Sequence, residues 1–432
     1  MNTIERIASL SAAWAAAREV YPYFDRLSLD WDAAYREYLP QVMDAEDPAA
    51  FWLLLARFMR LLNDAHTTAV LPRALTASFG FFPFRMLQMG DRFLVTEGPD
   101  EKVLLREALA IDGIPMTEWV RRLDAYQVTV QGHAYQGRLE KWLPLLMQGT
   151  DHTLLTDGGE IPFCCVAEPP QRRKAPEPAS RFPSEQLADS LWMCEGGILC
   201  ARIDDMLHPD RAERFQRLLK AHSPNAVLFD IRRNMGGMTL CGAKYAQPFF
   251  EGSFSGCQKW TQKRSAVDAA SSAQLLRMSP ERQQTMQADG TLSREALDDA
   301  RDYARRTHYE RYQDSWQFPC DVHLPHCPVL LLTSRDTISA AEDFCCFFRS
   351  NHRGVLMGES TFGSTGSPLP LAFSEGGGVQ IVSVGYTLLD GTPFIGRGIA
   401  PDVVCAPDVD AYRAGWDDQL DTAIQYMREN ML

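Results

Sequence analysis

No stretch of this 432-residue chain approaches the roughly 18 consecutive apolar residues that a membrane-spanning helix requires, which argues against a transmembrane protein. An excess of basic residues is missing as well, since 43 Lys and Arg stand against 56 Asp and Glu, a formal charge of −13. Phosphate backbones are gripped by basic faces, so nucleic acid is not the expected partner. No internal repeat is visible. A disulfide framework is not expected either: the 11 cysteines are odd in number and include the neighbours Cys164-Cys165 and Cys345-Cys346, and reduced thiols are the simpler account. Met1 to Tyr21 sets Glu5, Arg6, Arg18 and Glu19 among alanines, where a secretory leader would carry a basic start and an unbroken apolar centre. It reads as an amphipathic helix, and the expected location is cytoplasmic.

What is present is the composition of an ordinary globular protein, 45% apolar and 23% charged. The length suggests two or three folding units. Apolar positions recur at helical spacing through Ile4-Ala8-Leu10-Trp14, Trp31-Ala34-Tyr35-Tyr38 and Phe51-Leu54-Leu55-Phe58, which predicts three helices in an N-terminal helical segment over 1–72. Short strands and turns follow over 73–166, a small α+β module in which Glu107 to Pro115 precedes a helix from Thr117 to Leu123. Residues 167–190, rich in Pro, Arg and Ser, read as a mobile connector, with Arg172-Arg173-Lys174 as a solvated run. The remainder, 191–432, is expected to be an α/β core carrying a charged helical insertion over 252–318. That insertion could fold as a lid or sit outside as an ornamental helical pair.

The chemistry is concentrated in the core. Thr337-Ile338-Ser339-Ala340-Ala341-Glu342 joins the apolar strand at Val329 to Thr333 to the apolar helix Ala340 to Arg349. A hydroxyl at that joint lies over free backbone N–H groups and the positive end of the helix dipole, which suits an acyl-transfer nucleophile. A helix N-cap with Glu342 completing a capping box is the competing reading. Ala226 to Gly237 reads as a buried strand ending in a glycine pair whose N–H groups could build an oxyanion hole. Leu356 to Gly366 adds a second strand with a glycine-rich turn, and Gly396 to Asp402 closes the series.

In this order, Asp230 to Gly237, Ser339 to Glu342, Gly358 to Gly366 and Gly398 to Asp402, with Asn63-Asp64-Ala65-His66-Thr67 upstream, resemble the C-terminal-processing (tail-specific) serine proteases, in the branch of the tricorn core protease. The resemblance implies a ClpP/crotonase-like core and a PDZ-like module over 73–166. It implies Ser339 as nucleophile and backbone N–H groups near Gly236, Gly237 and Ala340 as the oxyanion hole. The tail-specific lysine falls where this chain has Ser364, so a Ser–Lys dyad is not expected. The tricorn-like histidine matches His66, whose imidazole titrates near neutral pH and can serve as base and then acid. The orienting glutamate of that branch falls at Ile395, and Asp390, Glu359 or Asp64 would have to substitute.

The resemblance therefore implies a serine peptidase acting on unfolded proteins or peptides without a cofactor. A catalytically weak or inactive member that binds a ligand or peptide is the alternative, and homo-oligomerisation stays open. Cys320, His323, His326 and Cys327 lie too close together, among Pro319, Pro325 and Pro328, to wrap one tetrahedral ion, so no metal is expected there.

Overall fold

The computed structural model describes residues 1–147, 149–262, 274–304, 309–374 and 376–432. The chain divides into two compact units. One comprises Met1–Pro72, Gln258–Tyr312 and Gly366–Tyr386, the other Arg73–Cys257, Gln313–Thr365 and Thr387–Leu432.

The first unit opens with the three helices that the spacing predicts, Thr3–Val20, Trp31–Met43 and Pro48–Arg60. Asn2, Asp30 and Asp47 cap them by accepting backbone N–H bonds in the first turn. Trp31 and Phe58 stack at 4.2 Å between ring centres. The helical segment is not a separate body, as the sequence suggested. Its strand Thr68–Val70 pairs with Gly378–Val382, which in turn pairs with Pro368–Ala372. A strand of three residues cannot satisfy its backbone alone, and the hairpin from the C-terminal half supplies the missing partners.

The inserted segment also departs from the helical expectation. Its described part begins and ends in the strands Phe254–Gln262 and Tyr309–Trp316, which share a sheet with Val384–Thr387; the helices Pro280–Ala288 and Arg294–Ala304 lie between. The polar residues that looked helical include buried strand positions, such as Lys259 with its ammonium over the Tyr386 ring. Residues 263–273 and 305–308 of this insertion, expected as a lid or an ornamental helical pair, lie outside the described residues.

The second unit is built on a seven-stranded sheet. Ile198–Arg202, Ala226–Asp230, Val329–Thr333, Val355–Gly358 and Val403–Val404 run parallel in chain order, and Leu191–Cys194 and Ser184–Ala188 continue one edge antiparallel. Buried on both faces, these strands are almost continuously apolar. Leu228, Leu330 and Leu332 face the C-terminal helix Asp418–Asn430 through Ala423, Ile424 and Met427. On the other face Phe229 meets Phe215 at 5.3 Å and Phe344 at 5.1 Å, drawing in the helices Pro209–His222 and Ala340–Ser350. The Pro- and Arg-rich connector is held rather than mobile. Arg173–Lys174 pairs with the strand Arg92–Gly98, and the Arg172 guanidinium donates to the carbonyls of Phe82 and Pro83. None of the eleven cysteines is in a disulfide.

Candidate active site

The parallel strands deliver their following loops to one edge of the sheet, where ligand sites of such sheets form. After Asp230 the chain turns through Arg232, which is clamped between two carboxylates. Its guanidinium donates to Asp230 at 2.9 and 2.7 Å and to Asp417 at 2.8 and 2.6 Å. This network of one cation between two carboxylates fixes the start of the glycine-pair turn.

Asn234, fully buried, holds the turn itself. Its Nδ2 donates to the Ile203 carbonyl, and its Oδ1 accepts the Gly236 N–H at 2.8 Å. The Gly236 N–H, expected as an oxyanion donor, is thereby engaged by Asn234. Among the described residues, no protein group accepts from the N–H of Gly237 or of Ala340, the first residue of its helix. Gly236 serves sterically instead. At φ +90° its added Cβ would lie 2.6 Å from the Ser339 Cβ and 2.9 Å from the Ala340 nitrogen. Gly236→Ala is expected to lower the free energy of unfolding by about 2–4 kcal/mol through overlap and strain. Urea titration measures it, and an unchanged midpoint would show that the turn can move aside.

Ser339 sits at the helix start with φ +64° and ψ −130°, a conformation that L-residues rarely adopt. It persists because its neighbours over-determine it. The Ser339 N–H donates to the Ser364 carbonyl at 2.9 Å, and the Ile338 N–H to the Asn234 carbonyl at 3.1 Å. Glu342, which the sequence offered only as a capping partner, has a larger role. It is fully buried, and its carboxylate accepts from Thr361 Oγ1 at 2.5 Å and from the N–H groups of Gly363 and Ser364 at 2.8 Å each. A longer bond of 3.3 Å comes from the Ser339 N–H. Burial pushes the Glu342 carboxyl up to about 7 against the pull of these four donors. Asp343 ties in two further segments, accepting the hydroxyls of Thr239 at 2.6 Å and Thr365 at 3.0 Å. The adjacent acids in an otherwise apolar helix were the available signal for both roles.

Glu359 pairs with Arg335 at 3.4 Å, and burial raises its pKa. Asp390 is exposed and closes its own turn by accepting the Thr392 N–H at 2.9 Å, which holds its pKa down. Ser364 is buried and supplies the carbonyl that holds Ser339. His66 belongs to the first unit, half-buried on the turn before Thr68–Val70. Its backbone N–H donates to Asp64 at 2.8 Å, and its carbonyl accepts from Gln380. The Cys320 to Cys327 segment is a loop in which Cys320 Sγ donates to the Val322 carbonyl.

Residues 198–405, which carry every element of the Ser339 neighbourhood, match the model of peptidase family S41. Over that stretch the chain is similar to the family. A stretch of 82 residues is 32% identical to the chloroplastic C-terminal processing peptidase of Tetradesmus obliquus, and spans 19% of this chain and 18% of that relative. The crystal structure of mature CPAF superposes with a TM-score of 0.68 at 14% identity, over 100% of this chain and 99% of that one. The photosystem II D1 C-terminal processing protease gives 0.50 at 16% identity, over 95% and 96% of the two chains. The α/β architecture of this core is thus shared with those solved structures. No helix among the described residues is long and apolar enough to cross a membrane.

Proposed function

We propose that this chain is a serine peptidase hydrolysing peptide bonds of unfolded proteins or peptides, with Ser339 as nucleophile and His66 as general base and then general acid. The observation that carries the reading is the forced conformation of Ser339 at a helix N-terminus, beside two N–H groups that no described protein group accepts. On this reading the Ser339 hydroxyl attacks the scissile carbonyl, and the N–H groups of Ala340 and Gly237 receive the oxyanion. His66 takes the hydroxyl proton and returns it to the leaving amine. This chemistry needs no cofactor. The S41 match and the similarity to proteases named for C-terminal processing support peptide substrates, and the chain-ordered parallel sheet supports a core of the ClpP and crotonase type. We assign it to the cytoplasm, leaving homo-oligomerisation open.

The test is to treat the folded protein with a fluorophosphonate probe and map the adduct by mass spectrometry of its peptides. A single adduct on Ser339 supports the reading. One specific observation favours the alternative of a weak or inactive protein that binds a ligand or peptide. Ile395 stands where the resemblance implies the acid, and both Glu359 and Asp390 already have partners of their own. Absence of any adduct on the folded protein would make that alternative the better one.

A further inference from the structure

Within the second unit, a cavity of about 790 Å³, including its open mouth, is lined by Arg85, Lys141 and Arg172 against a single acid, Glu140. A surplus of cations around one cavity is unexpected in a chain of formal charge −13. We propose that this cavity binds a small ligand through an oxyanion group, a phosphate or a carboxylate.

The arginines are held in place but under-compensated. Arg172 is anchored by bonds of 3.1 and 2.8 Å to the carbonyls of Pro83 and Phe82, which leaves Nη1 with only Glu97, at 3.7 Å. Arg85 reaches that same Glu97 at 3.9 Å, and Lys174 shares it at 3.6 Å. One carboxylate thus serves three cations, none of them within hydrogen-bond distance. Burial and the adjacent Arg85 charge lower the Arg172 pKa, the response of a cation that lacks a full counter-charge. The Glu140 carboxyl accepts the Met86 N–H at 2.8 Å; burial raises its pKa while Met86 and the Arg85 and Arg172 charges lower it.

The backbone is shaped to the same end. Gly137, at φ +81°, precedes the helix Arg138–Leu146, which no side chain caps. A Cβ at Gly137 would lie 2.9 Å from Arg85 Nη1, so glycine lets the guanidinium lie against the helix start. An oxyanion there would meet the Arg85 guanidinium, the Nη1 edge of Arg172 and the positive end of the helix. Phe81, Phe82 and Pro144 line the same cavity and offer an apolar wall for the rest of the ligand.

Calorimetric titration of the purified full chain with inorganic phosphate, and separately with citrate, at ionic strength matched with sodium chloride, tests this. Saturable binding of either anion is expected, and Arg85→Gln and Lys141→Gln should each weaken it by about tenfold. Arg173→Gln, at an exposed neighbour paired with Glu101, should leave it unchanged. Tighter binding of phosphate assigns a phosphate-bearing ligand, and tighter binding of citrate a carboxylate-bearing one. Binding by neither anion, or binding that both cavity variants leave intact, overturns the proposal. Should Arg85→Gln fail to fold, Lys141→Gln decides alone.

Discussion

Ser339→Ala is expected to abolish fluorophosphonate labelling and to lower peptide hydrolysis by a factor on the order of 10⁶, with melting behaviour and far-UV dichroism unchanged. The magnitude follows from the proposed division of labour. A hydroxyl activated by an imidazole works as a unit with it, so removing either member forfeits nearly the whole covalent route. His66→Ala should therefore match Ser339→Ala in hydrolysis, and the double variant should be little worse than either single one. The fold should tolerate Ser339→Ala, because the forced backbone at Ser339 is held through its N–H, by Ser364 and Glu342, and by its neighbours. A His66→Ala variant that keeps full activity would remove the base from its assigned role while leaving Ser339 in place.

Glu342→Gln should reveal a buried acid whose protonation is coupled to folding. The Glu342 carboxyl is pushed up to about 7 in the folded chain, from an ordinary value of 4.5. Between those two values the folded state binds a proton that the unfolded state has released, so stability falls as pH rises through this window. The contribution of Glu342 is intact below about pH 4.5 and is reduced by about 3 kcal/mol above pH 7. Glutamine cannot titrate, but it sets an amide N–H₂ against the donors of Thr361, Gly363 and Ser364, a cost independent of pH. The wild type should thus lose stability relative to Glu342→Gln by about 2–3 kcal/mol between pH 5 and pH 8, read as the change in the difference of their urea unfolding free energies. A difference that stays constant across that range would show that the four donors hold the carboxylate ionised throughout.

Much of the site was legible because it rests on local rules. An apolar strand, a short polar turn and an apolar helix place Ser339 at a helix start from periodicity alone. The glycines of the turn after Asp230 and of the 363–366 loop announce backbone positions closed to side chains. The three N-terminal helices were equally readable, since each combines a capping residue with helical spacing. Motif order then identified the core, and residues 198–405 match the same family.

What only the tertiary structure decided involves partners distant in the chain. That Gly236 presents a bare Cα to Ser339, and not its N–H, depends on Asn234 taking that N–H inside a turn gripped by Ile203 and Ile338. Glu342 could be read as a capping residue, but its acceptor role toward Thr361, Gly363 and Ser364 arises from a loop some twenty residues onward that folds back over the helix start. Thr68–Val70 has its strand partner more than three hundred residues away. The sequence by itself determined which segments become strands, helices and tight turns, because those follow from residue type and short-range spacing. The tertiary structure decided which of their backbone groups are left to face a ligand, because each buried N–H must find an acceptor wherever the folded chain brings one.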